Sequence, residues 1–328
     1  MEVLKIFLTP DFWSSAIRLM TPLMLAALGG IICERAGILN MALEGQILMG
    51  AFFAYLGSYL TQNVWLGLVI AMIGSMSLAV IHAFMSINVK VNQVVVALGL
   101  NTLAIGITST IFRFMFGTDS QMANCPGFKA IHIPGLSDIP FIGPVLFGQY
   151  PLTYIALLAL FGISWFLFHT SRGLELRAAG ENPQALDVAG VDVIRIRWLA
   201  VLVTGAFCGL AGACLTLNGL NTFYDNISSG RGYIAYAAIV FGKWNPMGTT
   251  LATLLFGAGD ALQLRMQAMN FNIPYYFYLM MPYLITFLAL VFFMGPSKGP
   301  AASNVPFVKD KARSSKRRPK QTSGIGGK

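Results

Sequence analysis

Charge is what this sequence has least of. Only 11% of its 328 residues are Asp, Glu, Lys or Arg, against about a quarter in a soluble globular domain, which excludes an ordinary cytosolic enzyme. Histidine is scarcer still. His82, His132 and His169 are far apart and lack any helical i,i+4 histidine partner, so they suggest no metal site. Cys33, Cys125, Cys208 and Cys214 stand singly, with no C-x-x-C, and three lie in apolar stretches. Neither a zinc site nor a disulfide framework is indicated. The Walker pattern G-x-x-x-x-G-K-[ST] is absent, which excludes P-loop ATP hydrolysis by this chain. No residue is assigned a catalytic role. The N-terminus has no basic n-region, and its first apolar run is too long for the core of a signal peptide.

What the chain has is apolar length. Hydrophobic residues make up 56% of it, too many for disorder. Crossing about 30 Å of hydrocarbon takes about 20 apolar residues. Residues 12–33, 39–60, 64–87, 94–116, 151–168 and 199–217 qualify, the fifth being short. Residues 232–262 are apolar but interrupted by Lys243-Trp244-Asn245-Pro246, and 275–294 form the last run. The expectation is an all-α polytopic membrane protein of about 8–10 helices, with a broken or re-entrant pair near 232–262. Residues 1–295 form the membrane domain and 296–328 a basic, disordered tail.

The net charge of +9 has an address. From Pro296 onward there are nine Lys or Arg against Asp310 alone, leaving 13 basic and 12 acidic residues in the body. This distribution argues against nucleic acid as a ligand. The segment 169–198 carries Arg172, Arg177, Arg195 and Arg197. By the positive-inside rule it and the tail are cytoplasmic, and the Pro-rich loop 117–150 lies outside. An even number of crossings must separate the Arg-rich segment from the tail, so 232–262 contributes two short arms. Counting backward places the N-terminus outside.

Ionisable and amide groups inside membrane spans are costly and are functional candidates. Glu44 follows Asn40 at i,i+4, on one face if both are helical. It either pairs with Arg35 structurally or takes part in solute passage or gating. Gln93 and Asn101 could bond a polar solute or a neighbouring helix. The stretch from Ser228 through Gly230, Arg231 and Asn245 is either flexible backbone lining a solute path or a plain external loop. Gly205, Gly209, Gly212 and Ala213 form a small-residue ladder for close helix packing. In 169–198, Glu175, Arg177, Ala178, Ala179 and Gly180 lead to Asn182-Pro183, Asp187 and Gly190. A short helix lying at the membrane face is expected there, either as a docking element or as a solvated loop.

The text of this segment, Ala178-Ala179-Gly180 with Asn182-Pro183, Asp187 and Ala189-Gly190, resembles the coupling loop of ABC importer permeases in the branched-chain amino acid/ribose superfamily. Glu34-Arg35-Ala36-Gly37-Ile38-Leu39-Asn40 with Glu44-Gly45 is similar to the ER-x-G-x-x-N-x-x-x-EG block of its nucleoside/simple-sugar branch. A third block of that branch resembles Gly230-Arg231-Gly232 through Phe241-Gly242-Lys243-Trp244-Asn245-Pro246. The three span about residues 20–265 in order. The resemblance implies a bacterial plasma-membrane subunit that carries nucleosides by alternating access. It implies a second related permease subunit or a homodimer, a cytoplasmic ABC ATPase that holds the ATP and Mg, and an extracytoplasmic substrate-binding lipoprotein. It implies no cofactor on this chain. A simple sugar or a branched-chain amino acid is the alternative solute, and an ion-coupled secondary carrier is the competing class. For the carrier, no clear inverted repeat is visible, and Glu44 and Asp260 are the only obvious membrane acids.

Overall fold

A computed structural model describes residues 9–117, 124–132, 139–269 and 299–309, with a few scattered positions between them. The last expected span, 275–294, falls largely outside the described residues, as does the tail beyond Lys309. The described helices are α1 Pro10–Arg35, α2 Leu43–Thr61, α3 Val64–Ala83, α4 Gln93–Phe116, α5 Pro151–His169, α6 Ser171–Glu181, α7 Pro183–Val188, α8 Val193–Leu217, α9 Arg231–Phe241 and α10 Pro246–Ala268. Five of them are long and apolar enough to cross a membrane. The all-α polytopic expectation holds.

Local chemistry sets most of the starts. Asn63, Asn92, Thr170, Asn182, Asp192 and Asn245 each accept a backbone N–H with the side chain at the head of a helix, satisfying donors that the first turn leaves open. Pro10, Pro151, Pro183 and Pro246 sit in the first turn, where a missing N–H costs nothing. Asn182 ends α6 and caps α7. The expected single short helix is therefore two, folded into an elbow. The loop 117–150 contains a π-helical turn, Gly143–Phe147.

Helices α1 and α8 occupy the centre, and α4 and α5 keep most of their apolar side chains on the outside. The glycine ladder explains how close the central helices come. A Cβ on Gly212 would strike the backbone of Ile47 and Ala51 in α2, and one on Gly205 would meet Met76 and Ala79 in α3. With no hydrophobic drive between helices in lipid, such contact through small residues is what holds them together. The Thr204 hydroxyl adds a bond to the Gly29 carbonyl at 2.8 Å.

The ends of α1 fix the two faces of the molecule. Near its start, Arg18 donates to the Gly148 carbonyl and Gln149 donates to Ser14. At its far end, Arg35 donates to the Trp244 carbonyl, and Gly180 lies against the Arg35 carbonyl. The 143–150 region and the α6–α7 elbow thus lie at opposite ends of the bundle.

Three expectations need correction. Helix α8 starts at Val193, ahead of the expected 199, because Arg197 is buried instead of solvated. Asn40 lies outside α2, which starts only at Leu43, so Asn40 and Glu44 do not share a helical face. The left-handed Gly37, φ 84°, turns the chain between the end of α1 and Asn40. Finally, only the first arm of the broken pair is short. Helix α10 has 23 residues, long enough to cross though not one of the five that are also apolar enough. The break itself falls where expected, with Lys243 and Trp244 both in the left-handed region at φ 55° and 53°.

Candidate functional site

The first site is built around the start of α2. Gly212 lies about 28 Å along α8 from Val193 at 1.5 Å per residue and touches Ile47. Glu44, one turn before Ile47, therefore lies within the length of α8, inside the bundle. Its carboxylate accepts from the Ser228 hydroxyl at 2.6 Å, the Gly230 N–H at 2.7 Å and the Gly232 N–H at 2.6 Å. These donors form the N-terminus of α9, which starts inside the bundle and runs toward Trp244. A carboxylate at the positive end of a helix dipole is favourably placed, and irregular backbone at this depth is tolerated only where protein satisfies it. Gly232 allows the approach, since a Cβ there would collide with the Glu44 backbone.

Neighbouring amides complete the pinning. Asn101 donates to the Met41 carbonyl at 3.0 Å and to the Tyr233 hydroxyl at 2.9 Å, and accepts from the Gly45 N–H at 2.9 Å. Gln93 accepts from the Leu39 N–H at 2.7 Å. Asn40 donates to Gln46 at 3.3 Å, and its own N–H reaches Glu34 at 3.2 Å. The structure thus brings Asn40, Glu44, Gln93, Asn101 and Gly230 around one short segment, 38–46. It sets Asn245 apart as the exposed cap of α10. Arg231 turns back to the Ile227 carbonyl. No Glu44–Arg35 pair forms, since the partners of Glu44 come from the 228–232 stretch. Ser228 and Tyr233 belong to the 228–246 stretch singled out in the sequence, but their bonds to Glu44 and Asn101 were not legible there.

The second site is the elbow. Ala178-Ala179-Gly180 face inward: Ala179 and Gly180 are buried, and a Cβ on Gly180 would collide with the Arg35 carbonyl. Arg177 stacks over the Phe168 ring at 5.2 Å. Glu175 borders an apolar groove between α5 and α8. The outward face is instead Gln184, Ala185, Val188 and Ala189, with Val188 67% exposed. Gly190 closes the elbow at φ 90° with open space where a side chain would stand. Asp187 pairs with Lys309 at 3.4 Å. Arg197 is 2% exposed and holds three carbonyls: Ala36 at 3.1 Å, Val305 at 3.2 Å and Ala179 at 3.4 Å.

Among the described residues, no group of His, Cys, Asp and Glu side chains could hold a metal ion. The four cysteines are buried and unbonded.

A short helix pinned inside the bundle and an inward-folded elbow are joined here by a match over most of the chain. Residues 13–291 match the family described as "Branched-chain amino acid transport system / permease component". The chain belongs to this permease family. It is 38% identical over 299 residues to the guanosine ABC transporter permease protein NupQ of Bacillus subtilis (strain 168), covering 88% of this chain and 94% of that protein. To the nucleoside ABC transporter permease protein NupC of Lactococcus lactis subsp. cremoris it is 33% identical, covering 89% and 94%. TsgC13 of Haloferax volcanii, provisionally named a glucose ABC transporter permease protein, is 37% identical over 78% of each chain. No solved structure matches the chain. The permease is a transport subunit built on a multi-pass helical bundle.

Proposed function

We propose that this permease is one of two membrane subunits of an ATP-driven importer, that its solute is a nucleoside, and that an ATPase docks on the outward face of α7. The exposed α7 surface carries the docking part of this reading. It projects Ala185, Val188 and Ala189 from a mostly polar elbow at the end of the bundle remote from 143–150. Single-sign charge supports the orientation. The Arg-rich 169–198 segment and the basic tail belong on the cytoplasmic side by the positive-inside rule, and the reading assigns ATP and Mg to the docked partner because this chain carries no Walker pattern.

The choice of solute draws on Glu44. Discontinuous helices in transporters often hold an anionic solute group at an exposed helix N-terminus. In this permease the N-terminus of α9 already holds the Glu44 carboxylate. That favours an uncharged solute over an amino acid carboxylate, and the names of NupQ and NupC favour a nucleoside over a sugar. A second guanosine ABC transporter permease protein of Bacillus subtilis, NupP, is also related, at 30% identity over 252 residues. Such pairing supports a heterodimer of related permeases, supplied by an extracytoplasmic binding lipoprotein.

Co-purification tests the docking face. Val188→Glu should abolish retention of the ATPase while the permease pair stays assembled. Full ATPase retention and unimpaired uptake by that variant would place the docking surface elsewhere.

A further inference from the structure

The short segment 299–309 is attached to every element that meets at the elbow. Its Ala302 N–H donates to the Gly180 carbonyl at 2.8 Å, and its Ala301 N–H reaches the Glu181 carboxylate at 3.4 Å. Phe307 packs with Ala179, Leu186 and Val193, so one ring joins α6, α7 and α8. Lys309 pairs with Asp187 on α7. The Ala302 carbonyl lies against Gly37, just after the end of α1. Gly299 lies against the Trp244 ring in the α9–α10 turn. The segment is a strap.

Arg197 is the centre of this junction. A buried guanidinium is costly unless its donors are satisfied, and here all three partners are backbone carbonyls from different segments: 36 after α1, 179 in α6 and 305 in the strap. The planar fork of Arg can reach such a set, whereas the single ammonium of Lys cannot hold the same geometry. For anchoring one helix alone, a capping side chain would suffice. A side chain that ties three separate chain segments makes them move together.

We propose that Arg197 and residues 299–309 form a clamp that makes the α6–α7 elbow, the inner end of α1 and the α9–α10 turn one rigid body. Displacement of α7 by the ATPase is then delivered to Glu34 and the 36–42 segment, and through them to Glu44 and the start of α9. Arg197 is a positioning residue in this scheme. The proposal rests on the reading that α7 is the docking face. Coupling between distant sites requires an element with two arrangements that both sites bias, and the clamp supplies the rigid connection to it.

The test uses the complete importer reconstituted in proteoliposomes, with Ala185→Cys in the permease as a cross-linking probe toward the ATPase. The four native cysteines are buried, so the probe is the reactive thiol. Two readouts are taken: the cross-link, and solute moved per ATP hydrolysed. A chain ending at Lys309 should match the full chain in both. A chain ending at Lys298, and separately Arg197→Lys and Phe307→Ala in the full chain, should keep the cross-link and continue hydrolysis while solute moved per ATP falls about tenfold, within the usual range of coupling between sites. If the Lys298-ended chain does not assemble, the two point variants decide. An unchanged ratio in Arg197→Lys and Phe307→Ala overturns the clamp. So does loss of the cross-link in those variants with its retention in the parent, because the strap would then only build the docking surface. Absence of the cross-link in the parent overturns the docking reading instead, and the ratio in the variants still decides the clamp.

Discussion

Glu44 and Gly232 lie 188 residues apart in sequence, and the Gly232 N–H donates to the Glu44 carboxylate at 2.6 Å. Together with the bonds from Ser228 and Gly230, this contact holds the start of α9 in the middle of the bundle. A short helix that starts inside a membrane bundle needs its first N–H groups satisfied by protein, because hydrocarbon offers no donor or acceptor.

Replacing Glu44 by Gln therefore destabilises the permease. The amide keeps one carbonyl acceptor but turns an NH2 group toward donors, leaving at least one buried donor unmet at about 1–3 kcal/mol. Thermal unfolding in detergent should show a lower midpoint for Glu44→Gln and a still lower one for Glu44→Ala. An unchanged midpoint for both would free Glu44 from the anchoring role and return it to the solute path.

Asn101 and Tyr233 separate anchoring from contact with solute. Tyr233→Phe removes a single hydroxyl from a half-exposed ring and leaves the bonds of Asn101 to Met41 and Gly45 intact. The folded permease should lose no more than about 1 kcal/mol, the net worth of one hydrogen bond. Asn101→Leu cuts all three bonds and should cost more than Tyr233→Phe by at least that amount. Equal losses in an unfolding assay would contradict the placement of Asn101 as the shared hub.

Close packing of α8 predicts a graded series. Gly212→Val must displace the α2 backbone at Ile47 and Ala51 and should cost about 1–3 kcal/mol or more through overpacking. Gly162→Ala in α5 meets nothing within 4 Å and should be neutral. Expression and unfolding of the two variants check this directly, and a tolerated Gly212→Val would mean that α2 and α8 are not in contact.

The elbow yields a contrast between two neighbouring positions. Ala179→Glu places a charge in a fully buried site and should prevent assembly. Val188→Glu changes an exposed side chain and should leave stability within about 0.5 kcal/mol while ATPase retention is lost. Size-exclusion profiles of the permease alone distinguish these outcomes. A normally assembled Ala179→Glu variant would contradict the inward orientation of the Ala178-Ala179-Gly180 run.

Much of the bundle was legible because lipid imposes a simple rule: long apolar runs become helices, and Asn, Asp, Thr and Pro punctuate their starts. Residues 64–87, 94–116 and 151–168 read off almost to the residue for that reason. The starts of α8 and α2 did not. Arg195 and Arg197 look alike in sequence, yet Arg197 is buried among carbonyls and helical, a fact set by segments far away in the chain. Asn40 and Glu44 have helical spacing, but Gly37 adopts a left-handed turn and the helix begins only afterwards. The strap at 299–309 was absorbed into the basic tail. Its apolar letters Ala301-Ala302, Val305, Phe307 and Val308, between Lys298 and Lys309, were the available signal. Candidate residues in the first site were legible as a set, since buried amides and acids stand out against apolar text. Their role as mutual anchors was not, because their partners are set by tertiary contact.

The most direct measurement is uptake by the reconstituted permease pair, with and without the proposed ATPase and binding lipoprotein, across a panel of guanosine, uridine, glucose and leucine. The account predicts accumulation of a nucleoside only when the ATPase and ATP are present, with weak or absent uptake of leucine. Nucleoside entry at full rate without any ATPase, or ATP-driven transport confined to leucine or glucose, would contradict it.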